Sequence, residues 1–220
     1  YITAIDRAGY FENVGLSQDD LKRGSMYREN AMRAQLQSTF ADYKEYLLSL
    51  EMQGEIKPFA PIYYSRIAQL SNKSNQFNLT TRRYTPEEIA DPAENDHYIT
   101  LYGKLEDKFG DNGVVSLVIG EDQGDHLDII LWLMSCRVLK RDMEFAMMDE
   151  LVAQCQTRGL KTILGYYYPT AKNAMVRSFY ETQGFEKISE DEEGNTIWQF
   201  NIPEDYELKN QVIQVNKGEK

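Results

Sequence analysis

The sequence predicts an α/β (α+β) fold, a mixed central sheet flanked by helices, with a helical segment in front of it. Three observations carry this. From Met52 onward the strand and helix periodicities run in the order strand, helix, helix, three strands, helix, strand, helix, two strands. The three middle strands are separated only by turn residues, which marks an antiparallel run. The later strands are separated by helical stretches long enough to make crossover connections.

Each element has its own signal. Residues 1–50 read as a helical segment: Ser17 with Asp20 resembles a capping box, and Tyr43, Tyr46, Leu47 and Leu50 recur at helical spacing. Residues 55–59 read as the first strand, and residues 62–74 as a helix through Ile67 and Leu70. Thr85-Pro86-Glu87-Glu88 starts a second helix, with Thr as the cap, Pro in the first turn and acidic residues at the positive end. Strands follow at 98–105, 114–120 and 127–136, the first two joined by turn residues at 109–113. Residues 142–157 form a helix with Met143, Met147 and Leu151 on one face, stopped by Gly159. A strand at 161–167, a helix from Pro169-Thr170 to Gln183, and two strands around Glu193-Gly194-Asn195 complete the domain. The expected boundaries are a helical segment over 1–50, the main domain over 51–203, and a polar C-terminal tail over 204–220.

Composition narrows the function classes. The net charge is −11, which argues against a nucleic-acid partner. The longest apolar run, Leu127–Met134, is too short for a membrane span and contains Asp128. The opening Tyr1-Ile2-Thr3-Ala4 shows no signal peptide, so a cytoplasmic location is expected. Cys136 and Cys155 make neither a disulfide framework nor a metal cluster, and no metal site is expected in this chain. Arg82, Arg83, Arg137, Lys140, Arg141, Lys172 and Arg177 all fall in or beside the motifs that follow, so a local attraction for an anion is expected within an acidic protein.

Two sets of motifs carry a resemblance. Asn173-Ala-Met-Val-Arg-Ser-Phe-Tyr180-Glu-Thr-Gln-Gly184-Phe185 resembles the late helix of the GNAT acyltransferase superfamily, which an Asn opens and Tyr-x-x-x-Gly-Phe closes. The strand at 127–136 followed by Arg137 and a helix is similar to that superfamily's strand and phosphate-binding loop, Gln/Arg-x-x-Gly-x-Gly/Ala. The resemblance implies a GNAT-like acyl-CoA N-acyltransferase fold over about residues 52–202. A narrower resemblance rests on Asn75-Gln-Phe-Asn-Leu-Thr-Thr-Arg-Arg-Tyr84, Asp107-Lys-Phe-Gly-Asp-Asn-Gly113 and Met134-Ser-Cys-Arg-Val-Leu139. With the stretches at 4–11 and 26–30, these resemble FkbH-like proteins. Such proteins join a haloacid-dehalogenase-like phosphatase half to a C-terminal half of this kind. They resemble enzymes that load a glyceryl group from a phosphorylated glycolytic intermediate onto an acyl carrier protein. No Asp-x-Asp nucleophile motif stands here in a strand context, so the phosphatase half, with its Mg²⁺, is expected as a partner outside this chain.

The resemblance implies roles for particular residues. Cys136, at the expected end of the central strand, is the candidate nucleophile that takes an acyl group and passes it on; the alternative is a small buried hydrophobe. Tyr180 is the candidate acid for a leaving thiolate, or else a ring that packs the helix on the sheet. Arg137, Val138, Lys140 and Arg141 form the expected cofactor loop. Asn173 either reaches the pantetheine chain or caps a helix. Asn75, Asn78, Thr80, Thr81 and Arg82 are substrate-binding candidates, with ordinary turn chemistry as the alternative. Cys155 is expected to be structural.

The loop departs from both patterns, because Lys140 and Asp142 stand where glycines are expected. Glycine lets backbone N–H groups close on a pyrophosphate at a helix start, whereas Lys crowds the turn and Asp142 adds negative charge there. Free coenzyme A is therefore expected to bind weakly. The phosphopantetheine of an acyl carrier protein is expected to bind better, its one phosphodiester met by Lys140 or Arg141. The function expected is transfer of a thioester-linked, glyceryl-like acyl group to or from that carrier. The alternatives are a non-catalytic scaffold that docks the carrier or supports the phosphatase half, and a coenzyme A-dependent N-acetyltransferase. Carrier docking is expected on Arg82, Arg83, Lys140, Arg141, Lys172 and Arg177.

Overall fold

Strand alternation and two approaches at glycine set the layers of this protein, whose computed structural model describes residues 18–216. Ser17 of the expected capping box and the stretch at 4–11 lie outside the described residues. The chain divides into two units, one ending at Tyr46 and one beginning at Leu47. In the first, α1 spans Gln18–Gln37 and is followed by the start of α2 (Tyr43–Ser49), where Asp42 Oδ1 accepts the Glu45 N–H at 2.9 Å.

The second unit is built on an eight-stranded sheet. Its strands are β1 (Gln53–Lys57), β2 (Tyr98–Asp107), β3 (Gly110–Asp122), β4 (Leu127–Met134), β5 (Thr162–Tyr167), β6 (Glu186–Glu190), β7 (Thr196–Asn201) and β8 (Gln214–Val215). Their order is β6-β7-β5-β4-β3-β2-β1-β8, and only the pairs β4–β5 and β1–β8 are parallel. This is the expected mixed sheet, with the antiparallel run in its middle. Helices α3 (Tyr64–Lys73) and α4 (Pro86–Glu94) join β1 to β2, and α5 (Met143–Arg158) joins β4 to β5.

Side-chain alternation assigns the faces. Tyr102, Leu117, Ile119, Leu131 and Leu133 pack with Ile67 and Leu70 of α3 and Ile89 of α4. The next residue along β2, Gly103, faces the other way, where an added Cβ would lie 2.2 Å from Met143 Cε and 2.7 Å from Met147 Sδ of α5. The missing side chain is what lets α5 sit close to the sheet. Gly165 of β5 plays the same part for the ring of Tyr180, whose Cε1 would stand 2.2 Å from a Cβ. Thr85 caps α4 as expected, accepting the Glu88 N–H at 3.3 Å while Glu88 Oε2 accepts the Thr85 N–H at 2.8 Å.

Three expectations change. The β2–β3 turn closes earlier than the glycines at 110–113 indicate, because Asp107 Oδ1 accepts the N–H groups of Phe109 and Gly110 at 2.9 and 3.3 Å. The single helix from residue 170 to 183 is instead a turn, a 3-10 segment at Ala174–Val176 and the short α6 (Phe179–Thr182). The reason is local: Thr170 Oγ1 accepts the N–H groups of Lys172 and Asn173, and Asn173 Oδ1 accepts the Thr170 N–H. These side-chain bonds compete with a helical ladder. The polar tail is in fact docked. Asp149 of α5 accepts the Tyr206 hydroxyl and the Lys209 and Asn210 N–H groups, Val212 and Ile213 are buried, and β8 adds to the sheet edge opposite β6.

Candidate active site

β4 and β5 pair only from Leu127↔Ile163 to Ile129↔Gly165 and then part, so a cleft opens in the middle of the sheet. The parting begins well before Cys136. β4 stops at Met134, and the chain turns through a 3-10 segment, Cys136–Val138, in which Ser135 Oγ accepts the Arg137 N–H at 3.4 Å. The turn leaves Cys136 exposed.

Cys136 and Arg137 line a cavity of about 600 Å³. Its other walls come from α3 (Arg66, Leu70, Lys73), the segment Ser74 to Phe77, the end of β4, and Ala171 and Lys172. Four cationic side chains, Arg66, Lys73, Arg137 and Lys172, line this cavity with the thiol, and among the described residues its lining contains no carboxylate and no histidine. Lys73, Arg137 and Lys172 form no ion pair among the described residues. His126 stands at the opposite end of β4, beside Asp125 and Asp128. Arg66 and Lys73 are seven residues apart on α3 and therefore share a helix face. That spacing was a signal for Arg66 and Lys73, which the sequence motifs did not include.

The remaining candidates divide into those that reach the cavity and those the fold uses itself. Asn75 reaches it, with Oδ1 also accepting a 2.6 Å bond from Arg83 Nη2. Asn78 and Thr80 are buried: Asn78 Oδ1 accepts the Thr81 N–H at 2.9 Å, and Thr80 Oγ1 donates to the Ile130 carbonyl at 2.8 Å. Thr81 takes a left-handed φ of 58°. Arg82 lines a separate hollow of about 410 Å³ with Asp91, Tyr98 and Ile130. The five substrate-binding candidates therefore do not form one wall.

The cofactor loop is also rearranged. Val138 is fully buried in the core. Arg141 does not face a ligand: it points inward, and its Nη1 meets Asp107 Oδ2 at 3.0 Å, with the Asp107 side chain fully buried. Lys140 is exposed, and both it and Asp142 take left-handed backbone, with φ of 64° and 60°. These are conformations glycine adopts without strain, so the two departures from the glycine pattern carry the glycine geometry. Asp142 precedes α5 and makes no side-chain capping bond. Beside it, burial pushes the Glu144 carboxyl up to about 7, helped by the nearby charge of Asp142.

Asn173 is fully buried and spends its amide on the protein, donating to the carbonyls of Asn78 and Tyr168 at 3.0 and 2.9 Å. Tyr180 is buried among Phe179, Phe185 and Trp198, and burial raises its pKa far above that of a free phenol. Its hydroxyl is sealed from solvent beside the Tyr166 backbone, which corrects the expectation of a Tyr open to a leaving thiolate. Cys155 is buried, and burial pushes its thiol up to about 12, in keeping with a structural role. Among the described residues no cluster suited to a metal ion occurs, and no helix is long and apolar enough to cross a membrane.

Comparison with known families and with curated proteins finds no match. Solved structures do match. The ribosomal-protein-S18-alanine N-acetyltransferase of Escherichia coli aligns with 70% of this chain and 99% of its own, at a TM-score of 0.52 and 14% identity. The PaiA N-acetyltransferase of Thermoplasma acidophilum, solved with coenzyme A, aligns with 68% of this chain and 99% of its own, at 0.54 and 14%. YncA of Salmonella typhimurium, a putative acetyltransferase solved with acetyl-CoA, aligns with 72% and 98%, at 0.52 and 11%. The chain has the GNAT fold.

Proposed function

We propose that this domain is an acyltransferase in which Cys136 carries the acyl group, exchanging it with the thioester of an acyl carrier protein. The observation that carries the reading is an exposed thiol in a cavity lined by four cations and, among the described residues, by no carboxylate or histidine. Thioester exchange suits that lining. The Cys136 thiolate attacks the carbonyl carbon, a C–S bond forms, and the bond to the leaving thiolate breaks. The proton given up by Cys136 is taken up by the leaving thiolate, so the exchange needs no separate base. Transfer to an amine is different, because an ammonium must first lose its proton to a base within reach.

The cations supply the second half of the argument. A phosphopantetheine arm brings one phosphodiester, and a phosphorylated acyl donor brings its own phosphate; either meets Arg66, Lys73, Arg137 or Lys172. The loaded group is glyceryl-like and the missing partner is a phosphatase-like half, as the resemblance of residues 75–84, 107–113 and 134–139 to FkbH-like proteins implies. A cytoplasmic site of action goes with these partners.

A second reading, a coenzyme A-dependent N-acetyltransferase, is favoured by fold neighbours solved with coenzyme A or acetyl-CoA. The loop before α5 fits a diphosphate poorly. Arg141 is committed to Asp107, and Asp142 and Glu144 place carboxyls at the helix start. Incubation with acyl-loaded carrier protein, read by intact mass, separates the readings. The expected result is an acyl adduct on the wild-type chain, absent in Cys136→Ala and retained in Cys155→Ala. Acetylation of an amine substrate by acetyl-CoA at full rate in Cys136→Ala would establish the second reading instead.

A further inference from the structure

We propose that residues 77–80 are a built-in occupant of the cleft between β4 and β5, and that they restrict the site to ligands reaching Cys136 end-on with an anion in the cation-lined cavity. The proposal rests on the acyl-transfer reading and names the class of ligand it admits.

Past Ile129 and Gly165 the two strands no longer bond to each other, and their facing edges would leave backbone groups unpaired in the middle of a sheet. The chain itself fills the gap. Leu79 spans it alone: its N–H donates to the Trp132 carbonyl of β4 at 3.0 Å, and its carbonyl accepts the Tyr168 N–H beyond β5 at 2.9 Å. The Met134 N–H donates to the Phe77 carbonyl at 3.0 Å, and Asn78 sits opposite Leu133 in an antiparallel bridge. Thr80 Oγ1 takes the Ile130 carbonyl. Asn173 locks the far side through its two donations, to Asn78 and Tyr168. Leu79 and Asn173 are both fully buried.

An open strand edge binds extended, amide-bearing ligands by pairing with their N–H and C=O groups. A pantetheine arm, with two amides, is such a ligand. Here the carbonyls of Ile130 and Trp132 and the N–H groups of Met134 and Tyr168 are already taken. An arm lying along β4 would have to displace residues 77–80 and all these bonds together. What stays accessible is the end of the cleft. Cys136 comes two residues after the last bonded position of β4 and opens on Arg66, Lys73, Arg137 and Lys172. Recognition then falls on the ligand's charge and on its acyl carbonyl, and its chain contributes little.

The test compares 4′-phosphopantetheine with pantetheine, the same arm without phosphate, by calorimetry on the 220-residue chain, with amide exchange followed by NMR. The phosphorylated arm is expected to bind at least tenfold more tightly, to weaken with salt, and to leave the Leu79, Met134 and Tyr168 amides as protected as before. Equal affinities, no binding of the phosphorylated arm, or loss of protection at those amides would each overturn the proposal. In Asn173→Ala, exchange at Leu79 and Tyr168 should accelerate tenfold or more and pantetheine should gain at least fivefold. A folded Asn173→Ala with faster exchange and no gain also overturns it; if that variant does not fold, the wild-type comparison decides. A Cys136 that takes no acyl group would sink the acyl-transfer reading and leave these results unchanged.

Discussion

Replacing Arg141 by Met tests whether the buried pair with Asp107 holds the loop that follows Cys136. The two side chains are 9% and 0% exposed, with Nη1 and Oδ2 3.0 Å apart. Removing one partner of a buried pair strands the other charge, at a typical cost of 3–5 kcal/mol. Asp107 keeps two backbone N–H donors on Oδ1, from Phe109 and Gly110, so the lower end applies, about 3 kcal/mol. For a domain of this size that is a fall in Tm of roughly 6–12 °C. Adding Asp107→Asn should recover about 2 kcal/mol, because the amide oxygen still accepts both N–H groups while no charge is left buried. Urea denaturation followed by tryptophan fluorescence and circular dichroism, with coincident transitions, measures both variants. A loss below about 1 kcal/mol in Arg141→Met, or a double variant no more stable than the single, would refute the reasoning.

Other outcomes follow from the same region. Lys140→Gly removes a left-handed φ of 64° from a side-chain-bearing residue and should raise the unfolding free energy by up to about 1 kcal/mol in the same urea assay. Glu144 has a folded pKa of about 7 against an ordinary 4.5, so the folded state holds the extra proton between those values. Stability should therefore fall as pH rises from 4.5 to 7, by at most about 3 kcal/mol, and Glu144→Gln should flatten that slope in urea melts at several pH values. At pH 8 an anionic disulfide reagent should modify Cys136 and leave Cys155, and at low salt it should react about tenfold faster than a cationic disulfide, the ratio collapsing in 0.5 M salt.

Much of the fold was legible because its signals are local. Thr85, Pro86 and Glu88 announce a helix start that needs nothing else, and the alternation through β2, β3 and β4 fixes their faces. Two misreadings are local, the β2–β3 turn and the broken helix after Thr170, where side-chain bonds two or three residues away reshape the backbone; the others are long-range. Arg141 sits in a loop whose pattern suggests a ligand, but its partner Asp107 is 34 residues earlier in the chain. Asn78, Thr80 and Asn173 look like solvent-facing polar residues until β4 and β5 part and leave backbone groups for them to satisfy. Val212 and Ile213 are two apolar residues in a polar run, too few for periodicity, yet both are buried, just before Gln214 and Val215 pair with the edge of β1. The place of Cys136 just past the end of β4 was legible, and the cations that line its cavity only in part, since Arg66 and Lys73 belong to a helix whose apolar stripe draws the attention.

If the proposed acyl transfer takes place at this cavity, its charge also bears on what the acyl group would be passed to. The chain carries −11 overall, yet Arg66, Lys73, Arg137 and Lys172 gather at one cavity. An amine acceptor arrives as an ammonium and meets like charge there, with no carboxylate to take its proton. A thiol acceptor arrives neutral, on an arm whose phosphate is attracted. The docking surface expected from sequence must shrink accordingly, since Arg141 is buried and Arg82 faces another hollow. With exposed pairs each contributing about 1 kcal/mol or less, the cavity cations must act together. On the proposed reading, an acidic carrier repelled by the whole chain at long range would be held only where its phosphate reaches them, so the residues that disfavour an amine would also select the arm.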